Sequence, residues 1–293
     1  MQKVSQFDAD FAQEYVRVRQ AFTREFLESV RTQIAIESAA DVGCGVGYFT
    51  RLLSEMGFDV VGLDGRDENV AEAKRRHPAV PFITRNVEDQ ALLQVGTFDY
   101  VLCYGLLYHL ENPFQAIRNL HSLTGKLLMV ETMCVPGTNA NLELLDEYEA
   151  ENQGLNYVAF YPTESCVVKM LYQAGFPFVY RFKQLRLDSQ YATTLWRKRS
   201  RTILAASKIE LTAPTLELAE EPVRLATGPH DSWSTIPSRI RDFSNSKWNI
   251  WTEKIFNVRV IAAGLIRRWR RPAHSLSSEA KAQTIDPRAS RNG

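Results

Sequence analysis

A glycine-rich stretch near residue 40 constrains the fold of this 293-residue chain more than any other feature. Residues 41–47 read DVGCGVG, so glycine stands at every second position after an apolar segment and an acid. Glycine tolerates positive φ and lacks a Cβ, which lets the backbone turn tightly and come close to a ligand. The stretch therefore predicts a strand that ends in a glycine turn and continues into a helix.

The acid that opens this turn indicates the charge of the ligand. A loop that binds phosphate avoids a carboxylate because like charges repel. Asp41 instead suits a ligand that carries an amine or a sulfonium group. The turn therefore points away from a dinucleotide and toward S-adenosylmethionine.

Apolar segments alternate with helical periodicity around the turn. We predict strands over residues 34–42, 59–64, 80–85, 98–104 and 126–131, and a final antiparallel pair over 178–184 and 202–207. The helical stretches between the first strands span about 10 to 15 residues, which is typical of a parallel sheet with crossover helices. The predicted fold class is α/β, with a doubly wound, mostly parallel sheet and an antiparallel C-terminal hairpin strand.

Four segments are predicted along the chain. Residues 1–33 contain an amphipathic helix that packs beneath the sheet or lies over its ligand edge. Residues 34–208 form the ligand-binding domain, and residues 209–273 form a helical C-terminal extension. Residues 274–293 lack hydrophobic periodicity, so we expect them to be disordered.

Composition limits the range of partners and compartments. The net charge of +1 gives no overall attraction to nucleic acid. The four cysteines are widely spaced without a CxxC pair, so we expect buried apolar thiols in a reducing compartment rather than a zinc or redox site. The N-terminus has no apolar signal core, and no apolar run reaches the ~18 residues that span a bilayer. We therefore expect a cytoplasmic protein.

Polar residues stand where the predicted strands end. In a doubly wound sheet the ligand binds outside the carboxyl ends of the strands. Asp64 closes the second strand and can accept hydrogen bonds from both hydroxyls of a ribose. Asn86 and Val87 follow the third strand, where an amide and backbone groups can contact adenine. Cys103 and Tyr104 end the fourth strand.

In order and spacing these elements resemble the class I S-adenosylmethionine-dependent methyltransferases, a Rossmann-like family. The matching segments are DVGCGVG at 41–47, VGLD at 61–64, NVED at 86–89 and FDYVLC at 98–103. The resemblance extends over residues 37–132 and more loosely over 163–207. It implies a methyltransferase whose cofactor is S-adenosyl-L-methionine.

The resemblance also implies a role for each matching residue. Asp41 would help to hold the methionine amine, and Asp64 would bind the ribose. The turn glycines would lie alongside the methionine and ribose portions of the cofactor. Asn86, where many members have aspartate, would face the adenine. The implied cofactor-binding residues are Asp41, Gly43, Cys44, Gly45, Gly47, Asp64, Asn86, Val87, Cys103 and Tyr104.

Residues 105–113, GLLYHLENP, resemble a subset of small-molecule and sugar methyltransferases, and also relatives that act on the wobble uridine of tRNA. His109 is a candidate general base because imidazole is poised near neutrality, although it also suits a role in orienting the loop. Glu131, at the end of the fifth strand, is a second candidate, or a structural acid that bonds a loop.

The expected acceptor is a hydroxyl on a sugar, glycolipid or other small metabolite. Transfer from a sulfonium is an in-line displacement, and a hydroxyl nucleophile must lose its proton to a base or a metal. No Asp/His cluster has metal-ligand spacing, so we predict no metal. Residues 139–152 are predicted as a helix, followed by an aromatic loop. The candidate acceptor-contacting residues are Tyr108, Tyr157 and Tyr161.

Other functions fit parts of the same pattern. A tRNA (wobble uridine) modifying transferase would need a basic face near the site. A non-catalytic scaffold could bind the cofactor and attach to a membrane or partner through its tail. A nicotinamide-dependent oxidoreductase is disfavoured by Asp41 and by the absence of a second substrate domain in the sequence.

Two basic segments have two interpretations each. Residues 250–271 form an amphipathic helix in which six basic residues and no acid follow from Lys254 on. That helix either contacts an anionic lipid surface at the inner face of the membrane or packs on the domain. Residues 196–201 either meet phosphate on RNA or a nucleotide sugar, or form a solvated loop.

Overall fold

The computed structural model of the chain describes residues 10–146, 155, 158–183, 185, 190–191 and 199–222, with the side chains of residues 10–12 left out. The predicted helix over residues 250–271, the predicted disordered tail and Tyr157 lie outside these residues. The chain divides into two units at Val223, and only the first contains described residues. All of the helices and strands that the structure describes therefore belong to the first unit.

Ten strands are present in the described residues. In chain order they are β1 (Ser38–Val42), β2 (Asp59–Asp64), β3 (Phe82–Thr84), β4 (Phe98–Tyr104), β5 (Thr124–Cys134), β6 (Leu142–Asp146), β7 (Val158–Pro162), β8 (Phe178–Phe182), β9 (Ser200–Ser207) and β10 (Leu216–Leu218). Eight of them form one sheet in the order β10-β8-β9-β5-β4-β1-β2-β3. Strands β6 and β7 form a separate antiparallel pair.

The large sheet has a parallel half and an antiparallel half. Strands β3, β2, β1, β4 and β5 run parallel to one another. Strand β9 pairs antiparallel with β5, β8 with β9, and β10 with β8. The predicted fold class, a mostly parallel α/β sheet with an antiparallel C-terminal part, is confirmed.

Within the described ranges, five α-helices connect and cover the strands. They are α1 (Asp10–Val30), α2 (Tyr48–Glu55), α3 (Asp67–Arg76), α4 (Pro113–Leu123) and α5 (Glu164–Ala174). Local sequence sets their ends. Pro113 occupies the first turn of α4, where no amide hydrogen is needed. Thr163 accepts the Cys166 amide at the start of α5, and Gly175 ends that helix in the left-handed conformation.

Both faces of the sheet are covered, as the apolar strands predict. Alternate residues of β4 show this, since Val101 and Cys103 join the core beneath α4 and α5, whereas Tyr100 and Leu102 join the core beneath α1 and α2. Helix α1 contributes buried residues, among them Phe26, to the second core. Helix α1 therefore packs against a face of the sheet, and its residues Tyr15 and Arg19 also reach Glu131 near the carboxyl end of β5, so both predicted positions apply to it.

The predicted helix over residues 139–152 is wrong where the structure describes it, because residues 142–146 form strand β6. Leu and Glu favour helices, but pairing with β7 overrides that preference. Leu142 and Leu144 remain exposed on β6, so no buried stripe marked the strand in the sequence. The large sheet also continues past Lys208, where the sequence placed the end of the domain, through β10.

All four cysteines are free and buried, as predicted. Within the described part of the chain, no helix combines the length and apolar character needed to cross a bilayer.

Gly62, in the middle of β2, is packed too tightly to carry a side chain. A Cβ at this position would overlap the Phe82 ring and stand 3.0 Å from Thr50 Oγ1. We expect Gly62→Ala to lower the free energy of unfolding by about 1–3 kcal/mol, as overpacked cores do. Urea denaturation measures the loss.

The matched background for this test is Phe82→Leu, which shortens the crowding ring. There, Gly62→Ala should cost less than half as much as in the unmodified chain, because neighbouring substitutions couple. An equal cost in both backgrounds would show that the Phe82 contact does not set the requirement for glycine.

Candidate functional site

The glycine turn is tied to the end of β2. The Gly43 and Cys44 amides both donate to the Leu63 carbonyl, at 2.7 and 3.0 Å. The Gly45 amide donates to Oδ2 of Asp64 at 2.9 Å. The turn after β1 and the acid at the end of β2 therefore form one unit at the carboxyl edge of the sheet.

The three turn glycines are required by dihedral angle, and Gly43 and Gly47 are also required by space. Gly43, Gly45 and Gly47 have φ values of 77°, 53° and 88°, which side chains rarely adopt. A Cβ on Gly43 would stand 2.9 Å from the Leu106 side chain. The loop after β4, which contains Leu106, thus lies directly against the turn.

Asp41 is a buried acid that titrates near neutrality. Burial raises the pKa of its carboxyl to about 7, although the hydrogen bonds from Thr50 oppose this shift. Nearby Asp64 raises the pKa further, and Arg19 lowers it. The Thr50 hydroxyl donates to Asp41 at 2.6 Å. The carboxylate form would therefore gain much from a cationic ligand group.

Asp64 is held in a fixed orientation by three donors. Besides the Gly45 amide, it accepts the Arg66 amide at 2.9 Å and the Asn69 side chain at 3.1 Å. A carboxylate offers about four acceptor positions, so it retains capacity for a ligand hydroxyl.

The third strand end lies beside the second. A Cβ on Gly65 would be 3.9 Å from Cα of Asn86 and 3.2 Å from the Leu155 side chain. The Asn86 side chain accepts the Glu88 amide at 3.0 Å and so fixes its own turn. The carbonyl of buried Val87 accepts from Asn119 at 2.8 Å.

Strand β4 ends against β5 and α1. Cys103 and Tyr104 are buried, and the Tyr104 hydroxyl accepts a hydrogen bond from Thr23 of α1 at 3.2 Å. The Gly105 amide donates to the Glu131 carbonyl at 3.0 Å. The predicted cofactor-binding residues of β1, β2 and β4 and those after β3 are therefore gathered along one edge.

Glu131 is fully buried within a cluster of polar side chains. Arg201 contacts its Oε1 at 2.9 Å, Arg19 contacts its Oε2 at 3.4 Å, and the Tyr15 hydroxyl donates to it at 2.8 Å. Burial opposes ionisation, but Arg201 and Arg19 outweigh it and hold the pKa of the Glu131 carboxyl below its usual value. Glu131 is thus an ionised carboxylate with its charge already engaged.

The aromatic residues predicted to face the acceptor lie beside this cluster. Tyr108 stacks on Tyr161, with ring centroids 5.6 Å apart, and accepts a hydrogen bond from Arg201 at 3.1 Å. His109 is buried, its ring centroid 4.0 Å from that of Tyr108, and its amide donates to the Leu106 carbonyl at 2.9 Å.

Arg19 was not singled out in the sequence, whereas Arg201 belongs to the basic segment 196–201 that was. Arg19 interrupts the apolar stripe of α1, between Tyr15 and Phe22, and a charge within such a stripe was the available signal. The solvated-loop interpretation of residues 196–201 is wrong for Arg201, which lies in β9 with only 12% of its side chain exposed.

Comparison with known proteins agrees with this arrangement. Residues 40–126 match the family model described as "Methyltransferase domain". The resemblance to class I methyltransferases is thereby confirmed over these residues, which hold the glycine turn and the ends of β2 and β4.

Curated relatives are similar over part of their length. The chain is 32% identical over 152 residues to the ubiquinone biosynthesis O-methyltransferase of Xanthomonas euvesicatoria pv. vesicatoria, a match that covers 49% of this chain and 63% of the relative. It is 29% identical over 169 residues to the tRNA U34 carboxymethyltransferase of Actinobacillus succinogenes, covering 54% of this chain and 49% of the relative. The chain thus spans about half to two-thirds of these relatives.

Among solved structures, the N-terminal domain of EvdMO1, crystallised in the presence of SAH and D-fucose, is similar in fold. Its TM-score is 0.55 at 20% sequence identity, over 64% of this chain and 82% of that domain. This likeness agrees with the α/β architecture described above.

The raised pKa of Asp41 predicts a pH-dependent cost of folding. An unfolded aspartate has a pKa near 3.9, so between about pH 4 and 7 the folded chain binds the extra proton. Stability from this group therefore falls as the pH rises through that window. Between pH 4.5 and 7.5, the free energy of unfolding of Asp41→Asn should therefore rise relative to that of the unmodified chain by roughly 1–3 kcal/mol. Urea titrations at several pH values measure this difference.

Asp99→Asn is the matched control. Burial opposes ionisation of Asp99, but the Glu37 amide and Lys126 lower the pKa of its carboxyl. The stabilisation that ionised Asp99 gives to the folded chain is therefore lost only at acid pH. The difference in unfolding free energy between Asp99→Asn and the unmodified chain should stay constant from pH 5 to 7.5. A constant difference for Asp41→Asn as well would contradict the assignment.

Proposed function

We propose that this chain is an S-adenosyl-L-methionine-dependent methyltransferase that methylates an oxygen atom of a small molecule. The observation that carries the proposal is the glycine turn joined to Asp64 by the 2.9 Å Gly45 hydrogen bond. This unit lies within the residues that match the methyltransferase family model. The cofactor supplies an electrophilic methyl group on a sulfonium.

The residues at this edge suit both ends of the cofactor. Fixed Asp64 suits the ribose hydroxyls, and Asn86 with Val87 suits the adenine. At the other end, the carboxylate of Asp41 suits the amine of the methionine portion. Arg19 suits its carboxylate, since this arginine is buried and its Nε has no hydrogen-bond partner within the described part of the chain.

Two acid–base candidates differ in their surroundings. Glu131 is engaged by two arginines that lower its pKa, so it is a poor proton acceptor. His109 lies in the short helical turn Leu107–His109, against Tyr108, and imidazole is the side chain that most often serves as a general base. We therefore assign the base role to His109 and a positioning role to Glu131.

A small-molecule acceptor is favoured by the enclosed surroundings of Tyr108 and Tyr161. The curated name of the Xanthomonas relative, an O-methyltransferase, supports oxygen as the acceptor atom. A sugar or glycolipid hydroxyl remains within this proposal. The tRNA alternative is favoured by the Actinobacillus relative, which is named for tRNA U34. The scaffold and membrane hypotheses depend on the tail, outside the described residues.

Cofactor binding should stabilise the folded chain. S-adenosylhomocysteine at about 100 times its Kd would add about 2.7 kcal/mol and raise the Tm by roughly 5–10 °C. Asp64→Ala should remove most of this shift because it deletes the ribose acceptor. Thermal denaturation with and without the ligand measures both effects.

The control is Asp59→Asn, at the exposed opposite end of the same strand. It should keep the full shift. A melting curve that does not move with excess S-adenosylhomocysteine would refute the cofactor assignment, and an unchanged shift in Asp64→Ala would refute the role of Asp64.

Turnover identifies the acceptor and tests the base. Labelled methyl groups from the cofactor, incubated with a fractionated extract of the source cells, should enter the small-molecule fraction. His109→Gln should lower this transfer about 100-fold or more while retaining the S-adenosylhomocysteine shift.

His121→Gln changes a histidine of α4 that packs against Phe176, away from the site, and should retain transfer. Full activity of His109→Gln would remove His109 as the base. Label that enters RNA and is released by ribonuclease would favour the tRNA alternative over a small molecule.

A further inference from the structure

We propose that the acceptor carries a carboxylate or phosphate group, and that Arg201, assisted by Arg199, binds that group. The inference rests on the proposed function and specifies its substrate class. It is drawn from the described residues around Glu131 and the cavity next to them.

Arginines and tyrosines alternate in this region. The Arg199 guanidinium lies 4.2 Å from the centre of the Tyr161 ring, and Tyr161 stacks on Tyr108. Arg201 follows, 5.4 Å from the centre of the Tyr108 ring, and donates to its hydroxyl at 3.1 Å. We call these four residues the arginine–tyrosine cluster. It offers guanidinium groups held rigidly on aromatic rings, the arrangement that suits planar anionic groups.

Positive charge exceeds negative charge around Glu131, which lies next to the arginine–tyrosine cluster. The ion pairs of Arg19 and Arg201 both end on Glu131, so one carboxylate faces two guanidinium groups. Both arginines are largely buried, with side chains 10% and 12% exposed, and arginine stays protonated in proteins. A buried cation is costly unless it is paired. The methionine carboxylate of the cofactor would supply the second negative charge at Arg19. Arg199, which makes no ion pair within the described part of the chain, adds a third positive charge that an anionic group of the acceptor would balance.

A cavity gives such a group access to Arg201. It has a volume of about 260 Å³ and is lined by Tyr191 and Arg201, and by residues from the ends of β5 and β8 and the start of α5. The acid in its wall, Glu164, already contacts Arg181 and accepts from Thr202. Arg201 donates to Gln190, Glu131 and Tyr108 through its three guanidinium nitrogens, and each of its two terminal nitrogens keeps one further N–H for an anion. The volume suits part of a small molecule.

Arg19 and Arg201 contact different oxygens of Glu131, although both lie over the Tyr15 ring. Arg19 packs over the rings of Tyr15 and Phe49, on the side of the glycine turn, and acts on Asp41. Arg201 points instead to Tyr108 and the cavity. A carboxylate could come from the methionine portion of the cofactor or from the acceptor. We assign the carboxylate of the cofactor to Arg19 and that of the acceptor to Arg201.

Ligand-detected NMR titration tests this assignment on the full chain saturated with S-adenosylhomocysteine. The probes are benzoate and phenyl phosphate, with benzyl alcohol as the neutral counterpart of benzoate. Both anions should bind at least 10-fold more tightly than benzyl alcohol. Arg201→Gln should weaken anion binding at least 10-fold, Arg201→Lys should weaken it less, and Arg19→Gln should leave it within 3-fold.

Controls separate folding, cofactor binding and anion binding. Arg51→Gln removes an exposed arginine paired with Glu55 on α2 and should change no affinity. If Arg201→Gln does not fold, Arg199→Gln replaces it, with an expected loss of about 3-fold or more. The melting shift with S-adenosylhomocysteine, measured on each variant, should decrease in Arg19→Gln and persist in Arg201→Gln.

Equal binding of benzoate and benzyl alcohol would overturn the inference. So would benzoate binding that is present without S-adenosylhomocysteine and lost when the chain is saturated with it. A third contrary result is anion binding that is lost in Arg19→Gln but kept in Arg201→Gln. Displacement by S-adenosylhomocysteine would mean that the excess positive charge of the arginines binds the cofactor rather than the acceptor. If S-adenosylhomocysteine does not bind while benzoate binding still needs Arg201, the anion site is supported and the methyltransferase proposal fails instead.

Discussion

The hydrogen bond from the Gly45 amide to Asp64 is the contact on which the candidate cofactor site depends. It joins the turn after β1 to the last residue of β2, and the paired amides of Gly43 and Cys44 on the Leu63 carbonyl reinforce it. Because three donors fix Asp64, its carboxylate needs no rearrangement to accept a ligand. Preorganisation of this kind reduces the entropy that binding would otherwise cost.

The Glu131 cluster is the second organising contact, and it works across long sequence separations. It ties α1 and β9 to the carboxyl edge of β5 through Arg19 and Arg201. A buried ion pair adds little net stability over an apolar replacement, but removing one partner leaves an unpaired buried charge at a cost of about 3–5 kcal/mol. We infer that the cluster fixes the position of α1 and β9 at the site.

Local patterns predicted the parallel half of the sheet and the residues at its edge. The bounds of β2 and β4 follow from short apolar runs that begin next to Asp59 and Asp99, and Asp64 was expected because it ends such a run. The cluster around Glu131 was not predictable in the same way, since Arg19 and Glu131 are 112 positions apart. Strand β6 was missed because two of its three leucines are exposed and its partner β7 lies beyond an intervening segment.

Strand direction explains why residues from both halves of the sheet reach the same edge. Parallel strands bring their last residues, such as Asp64 and Tyr104, to one edge. Strand β9 runs the opposite way and pairs Arg201 with Met133 of β5, so its first residues reach that same edge. The start of an antiparallel strand thus places arginines beside a site built from the ends of parallel ones. Under the proposed function, substitutions in β9 would change acceptor preference while the contacts of the glycine turn stay the same.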